Sequence, residues 1–326
     1  MYSINEVTTV GDELVSSRGT LYERLRELSN IIGNTPVIEL RKLVDPSKMA
    51  RVYVKLEYLN PTGSHKDRIA LYMIKDAVER GLIKENTPVI EASSGNTGIS
   101  IAWVCKVLGL RCIIVVPENT AESKKALLRA LGAELVETPN VPQDHPQNCR
   151  NVARKLAEEL GGVFLDQYSN VANMRAHYET TGPELWKQLG GRVDAFVMGV
   201  GTGGTIIGVG KYLRERKGDV LLVAIVPKGS PVVGGRLGEH IEGLAESLVP
   251  PLFNNNRHII DRVIEVSQEV AIDTIRKVIR EEGILAGPST GANIYVALEI
   301  AKELGPGKIV ATVAADSVWR YPELIK

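Results

Sequence analysis

Between residues 88 and 160, short apolar runs alternate with longer stretches of helical period. Pro88 to Ala92 precedes Thr97 to Leu108, Cys112 to Pro117 precedes Ala121 to Leu131, and Leu135 to Thr138 precedes Cys149 to Leu160. Apolar strands separated by amphipathic helices pair side by side in the same direction, so this rhythm predicts a twisted parallel sheet with helices on both faces. It resumes downstream: Val193 to Val200 leads into a helix from about Gly204, and Val220 to Val226, Arg262 to Val266 and Ile309 to Ala314 have the make-up of further strands. A chain of 326 residues has room for two such α/β lobes. With a boundary at Gly161 and Gly162, the smaller lobe spans 47–160, and 1–46 with 161–326 form the larger.

Composition removes several classes of function. Lys plus Arg and Asp plus Glu both number 39, so no global basic field draws the chain to nucleic acid. No apolar run approaches the ~20 residues that cross a bilayer, and Met1 to Asn30 lacks the pattern of a secretory signal, so a soluble, cytoplasmic protein is expected. Cys105, Cys112 and Cys149 fit no metal or disulfide spacing and the five histidines are scattered, so no metal site is expected. The Gly-, Pro- and Asn-rich stretch from Pro227 to Arg257 has no clean period and reads as a lid or site loop.

Three segments carry chemistry. Gly199-Val200-Gly201-Thr202-Gly203-Gly204 lies between a strand and a helix and fits G-x-G-x-x-G. The next strand runs into Pro227 and Lys228 rather than the acidic residue a nicotinamide ribose requires. What fits is a phosphate monoester, held by backbone N–H groups, the Thr202 and Thr205 hydroxyls and a helix N-terminus; a ligand-free tight turn is the alternative. In the second segment, Asn60 to Arg68, Ser64 and Asp67 form a capping box that puts Lys66 in the first helical turn. There the helix dipole disfavours its charge and favours a neutral, nucleophilic amine, unless Lys66, Asp67 and Arg68 are simply a solvated cluster. The third, Ser93-Ser94-Gly95-Asn96-Thr97-Gly98, aims hydroxyls and amides at a helix N-terminus, suiting a carboxylate or a plain N-cap turn alike. A lysine and a phosphate cradle are what pyridoxal phosphate needs, and a carboxylate turn is what an amino acid needs.

From Ile31 to Tyr321 the chain resembles the fold-type II pyridoxal-phosphate enzymes, and within them the cysteine synthase and cystathionine β-synthase family. The resemblance rests on Ile32 to Pro36, the Lys66 motif, Ser94 to Gly98, Leu131 to Glu134, His177 to Glu184, Gly201 to Thr205 and Glu281 to Ile284. It implies a tryptophan synthase β-subunit-like pair of lobes with the active site between them, and a homodimer. It implies that Lys66 forms the internal Schiff base and later moves a proton at the substrate α-carbon. By the same likeness Asn96 meets the cofactor's ring hydroxyl, Gly201, Thr202, Gly203, Gly204 and Thr205 hold its phosphate, and Ser289 meets the pyridine nitrogen. Ser93, Ser94, Asn96, Thr97 and Gln167 would hold the substrate carboxylate.

The implied reaction is a β-replacement: an O-activated L-serine, O-acetylserine or O-phosphoserine, passes through a bound aminoacrylate that sulfide or a thiol captures, giving L-cysteine. Cystathionine synthesis from serine and homocysteine and serine or threonine dehydration are the alternatives within the likeness. Departures from the family pattern bear on substrate choice. Ser93 replaces a threonine, Gly243-Leu244-Ala245 replaces Gly-Ile-Gly, Trp319 replaces a small acidic residue, and the chain begins about 30 residues early. Arg236 suits either a phosphate leaving group or a solvated surface, the second being expected of a charge outside any motif.

Overall fold

The structure, a computed structural model, describes residues 20–325; the part of the N-terminal expectation that falls on residues 1–19 lies outside them. Among the described residues the strands are β1 (Val37–Glu39), β2 (Arg51–Leu56), β3 (Val89–Ala92), β4 (Cys112–Pro117), β5 (Glu134–Thr138), β6 (Val163–Phe164), β7 (Ala195–Gly199), β8 (Leu221–Pro227), β9 (Arg262–Val266) and β10 (Ile309–Ala314). They form a six-stranded sheet in the order β1-β2-β10-β7-β8-β9 and a four-stranded sheet in the order β5-β4-β3-β6. β1 runs antiparallel to β2, and the other pairs are parallel. The fold is thus the expected pair of mostly parallel α/β lobes.

The helices that matter below are α1 (Leu21–Ile31), α2 (Lys66–Glu79), α3 (Asn96–Leu108), α4 (Glu122–Ala130), α5 (Cys149–Leu160), α6 (Val171–Ala176), α7 (Gly182–Gln188) and α8 (Gly204–Arg216). In the larger sheet successive residues enter opposite cores, as a strand's two-residue period requires: Val197 and Val223 pack on one face, Phe196, Met198, Leu222 and Ala224 on the other. Burial on both faces explains why these strands read as unbroken apolar runs.

The sheets divide the chain differently from the 47–160 boundary, which is corrected here. β2 pairs with β10 from Arg51↔Ile309 to Leu56↔Ala314 and so belongs to the larger lobe. β6, beyond Gly162, pairs with β3 in the smaller. Leu25, Leu28 and Ile32 pack with α2 and α3 in the smaller lobe's core. Lys55 inside β2 hid that strand from a search for apolar runs: its ammonium is buried against the Thr35 carbonyl and Glu184.

The capping box also needs correction. Lys66 does open α2, but its N-cap is His65, with no side-chain cap bond. The buried Asp67 carboxylate turns away from the Ser64 backbone to accept from Thr62 N, Thr62 Oγ1 and Ser100 Oγ at 2.7, 2.5 and 2.6 Å. Ser64 Oγ instead accepts weakly from Lys66 N at 3.3 Å.

Candidate active site

The end of β10 and the turn before α2 hold each other in place. His65 N donates to the Ala315 carbonyl at 2.9 Å, and Ser64 and Asp316 form an isolated antiparallel bridge. Lys66 is thereby fixed at the carboxyl ends of the larger sheet's strands, where open α/β sheets bind ligands. Burial lowers its amine to about 8 while Asp316 pulls it back up. The direction is the one expected from the sequence; its main cause is desolvation.

One cavity is lined by Lys66, Asn96, Gly201, Thr202, Gly203, Thr205 and Ser289, together with His65, Gly243, Leu244 and Asp316. Both lobes contribute, so the site lies between them. The cradle follows from local geometry. β7 ends at Gly199 and α8 begins at Gly204, which leaves the unpaired N–H groups of the first helical turn facing the bend. Gly203 has φ +86°, and a Cβ on Gly201 would come within 2.5 Å of the Gly243 carbonyl oxygen. Glycine is what lets the backbone lie this close.

Two buried imidazoles back the cradle. Thr205 Oγ1 lies 3.4 Å from His65 Nδ1 and 3.1 Å from His177 Nε2, and His177 Nδ1 meets Thr181 Oγ1 at 2.9 Å. Burial holds both rings neutral, His65 well below its ordinary value and His177 down at about 3. Neither histidine was a candidate from sequence; Lys66 and the Gly201 loop, between which His65 sits, were the available pointers.

Asp316 was also missed, although its place just past the end of a central strand was a signal. Its Oδ2 accepts from Asn96 Nδ2 at 2.7 Å and from Tyr321 Oη at 2.5 Å, while its buried Oδ1 has no partner among the described residues. Burial raises its pKa.

The carboxylate turn stands apart. Ser93, Ser94, Thr97 and Gln167 are not in the cavity lining. Ser93 Oγ accepts from Gly95 N at 3.3 Å, and Thr97 Oγ1 donates to Gln167 Oε1 at 2.7 Å. The Thr97 proton is therefore committed, and the Gln167 amide N–H groups are left as donors. Lys124 of α4 pairs with Glu242, the chain neighbour of the cavity-lining Gly243, at 2.7 Å. Arg236 is exposed with no ion pair among the described residues and does not line the cavity; Trp319, 72% exposed, does not either.

Several motif residues converge outside the cavity. The Arg68 guanidinium binds both Glu57 and Glu184 in pairs of 2.7 Å contacts, Glu184 takes Lys55 at 2.8 Å, and Thr35 Oγ1 donates to Glu57 at 2.5 Å. This buried cluster fastens the Lys66 helix to α7 and the larger sheet.

A family model described as "Pyridoxal-phosphate dependent enzyme" matches residues 28–316. The chain belongs to this family. The enzyme is 46% identical over 297 residues to a cysteine synthase of Staphylococcus aureus, covering 90% of this chain and 94% of the relative. It is 40% identical over 299 residues to a probable cysteine synthase of Bacillus subtilis, with 90% and 94% covered. Among solved structures, cysteine synthase from Entamoeba histolytica superposes with a TM-score of 0.84 at 30% identity, over 90% of this chain and 88% of that one. An O-ureido-L-serine synthase gives 0.84 at 36%, with 90% and 92% covered. The enzyme is pyridoxal-phosphate dependent, as the sequence resemblance implied.

Proposed function

We propose that this enzyme makes L-cysteine from an O-activated L-serine and sulfide by β-replacement. The observation that carries the proposal is the meeting of a half-buried lysine, a glycine-threonine anion cradle and Asn96 in one cavity, in a chain whose relatives bear the name cysteine synthase.

The residues present fit the cofactor. A backbone cradle closed to any Cβ at Gly201 suits a phosphate ester, and a lysine amine held near about 8 suits covalent attachment to an aldehyde. Bound there, pyridoxal phosphate supplies the electron sink that lets a substituent leave the β-carbon of an amino acid. Lys66 Nζ carries the attachment and afterwards takes and returns the proton at the substrate α-carbon. Gly201, Thr202, Gly203, Gly204 and Thr205 hold the phosphate, Asn96 the ring hydroxyl, and Ser289 the ring nitrogen, to which it offers a hydroxyl and no charge. Ser93, Ser94, Asn96, Thr97 and Gln167 take the amino acid's carboxylate, Thr97 through its backbone N–H in the first turn of α3 and Gln167 through its amide N–H. The exposure of Arg236 favours a donor without a phosphate leaving group, and so O-acetylserine. The enzyme works as a cytoplasmic homodimer on this proposal.

The test has three arms. Borohydride reduction of the holoenzyme followed by peptide mapping is expected to find the pyridoxyl group on Lys66, and a label elsewhere overturns the site. O-acetylserine, O-phosphoserine and serine are then each supplied with sulfide or homocysteine. Cysteine from O-acetylserine is expected; cystathionine or a ketoacid as the sole product overturns the activity. Gel filtration of the holoenzyme at the mass of one chain would overturn the dimer.

A further inference from the structure

Asn173, at the third position of α6, lines neither the cavity nor the carboxylate turn, yet it touches both. It is 1% exposed. Its Nδ2 donates to Thr202 Oγ1 at 2.9 Å and to the Gln167 carbonyl at 2.8 Å. No other side chain described above bonds to residues of both anion sites. The α8 N-terminus is built around it: a Cβ on Gly204 would overlap Asn173 Oδ1, so glycine at 204 is what allows the amide to reach Thr202.

The hydrogen-bond inventory shows what this contact does. A hydroxyl has one proton to give and two lone pairs. Thr202 Oγ1 accepts from Asn173 Nδ2 and also from Gly204 N at 3.3 Å, so both lone pairs are occupied and the proton points away from both donors. Thr202 lines the cavity, which makes that proton a donor to whatever anion the cradle holds. On the other side, the Gln167 backbone is pinned between two buried groups, Asn173 on its carbonyl and Glu91 on its N–H at 3.3 Å. Its side-chain oxygen is already taken by Thr97 Oγ1. With backbone and oxygen both fixed, the amide N–H groups have a set direction. Asn173 Oδ1 itself is buried with no partner among the described residues, a cost that an apolar side chain would avoid.

We propose that Asn173 is a positioning residue that presents the Thr202 hydroxyl to the cofactor phosphate and the Gln167 amide to the substrate carboxylate, so that one buried side chain serves both anion sites. This rests on the assignment of those two sites made above.

The experiment is a pair of double-mutant cycles on the whole enzyme, read by pyridoxal phosphate titration after removal of the cofactor and by the KM for the amino-acid donor at saturating cofactor. Thr202→Val weakens cofactor binding with little change in KM, and Gln167→Ala raises KM with little change in cofactor binding. Asn173→Ala does both, each by roughly tenfold, the loss of about one hydrogen bond at each site. Because it acts through its two partners, Asn173→Ala adds little to the cofactor defect of Thr202→Val and little to the KM defect of Gln167→Ala. A purely structural role would give additive losses in both cycles, and that result overturns the proposal. So does an Asn173→Ala enzyme with either quantity at the wild-type value. If Asn173→Ala does not fold, Asn173→Ser, which fills more of the space and keeps one donor, goes through the same cycles under the same criteria. Failure of the wild-type protein to take up pyridoxal phosphate would overturn the cradle assignment, and this proposal with it.

Discussion

Glu57→Gln tests whether the buried ion cluster, rather than the cavity, is what holds the Lys66 helix in place. Burial pushes the Glu57 carboxyl up, but the Arg68 guanidinium with its two hydrogen bonds, then Lys55 and Thr35, outweigh this and hold it at about 2 against an ordinary 4.5. At ~1.4 kcal/mol per pKa unit, that preference for the charged form is worth ~3 kcal/mol. Glutamine removes the charge and turns an N–H donor toward Arg68, itself a donor only. Breaking a buried pair costs about 3–5 kcal/mol, and since Arg68 keeps Glu184 the lower end applies. The two estimates agree near ~3 kcal/mol. The assay is urea denaturation of holoenzyme and variant across pH. A depressed folded-state pKa stabilises above the unfolded value and ceases to as pH falls through the folded one, so the wild-type advantage is flat above 4.5 and narrows toward about 2. A gap under ~1 kcal/mol at neutral pH, or one that widens on acidification, would refute the cluster's anchoring role.

Two further outcomes follow from the cavity. Only a neutral amine attacks an aldehyde, so with Lys66 held at about 8 by burial, the rate of cofactor uptake by the stripped enzyme climbs about tenfold per pH unit below that value and levels off above it; stopped-flow traces still climbing toward 10.5 would mean an ordinary lysine. Gly201→Ala drives a Cβ against the Gly243 backbone, and overpacking of ~1–3 kcal/mol lowers cofactor affinity about tenfold, whereas Gly218→Ala, with open space around it, leaves it unchanged. Equal affinities in the two titrations would show that the cradle is not rigid.

How legible the site was in the sequence depended on whether its signal was local. Gly201 to Thr205 and Ser93 to Thr97 are runs of neighbouring residues whose spacing states a geometry, and the fold delivers the strand-to-helix turns they imply; the turn bearing Lys66 also opens a helix, though without the Ser64–Asp67 capping box its spacing states. Arg68 looked like one of a solvated trio with Lys66 and Asp67, yet Arg68 and Asp67 are buried and Lys66 is half-buried: Glu57 and Glu184 satisfy Arg68, and Thr62 and Ser100 satisfy Asp67. Asp316, His177 and Asn173 act through partners 220, 28 and 29 residues away, separations at which a sequence carries no pattern. The lobe boundary failed for the same reason. β2 joins the larger sheet through β10, more than 250 residues downstream, and nothing local to Arg51–Leu56 announces it.

The buried charges also determine how the cofactor is held. Lys66 is the one lysine or arginine lining the cavity among the described residues; His65 and His177 are neutral, and Arg68 is matched by Glu57 and Glu184. The whole chain has no net charge. On the proposed assignment, a phosphate in the Gly201–Thr205 cradle would be held by N–H and O–H dipoles and by the N-terminus of the 13-residue α8. Dipoles act over one contact, inside the ~8 Å screening length of physiological salt, and shielded groups are screened little. Cofactor affinity is thus expected to change by less than about twofold between roughly 0.05 and 0.5 M potassium chloride, where a site built on exposed cations would weaken by about tenfold or more. The same titration on Thr202→Val should show a weaker site that is still indifferent to salt, because the hydroxyl it loses is a dipole. If the wild-type affinity instead fell about tenfold over that range, the phosphate would be bound by ionic attraction and the cradle's chemistry would have been misassigned.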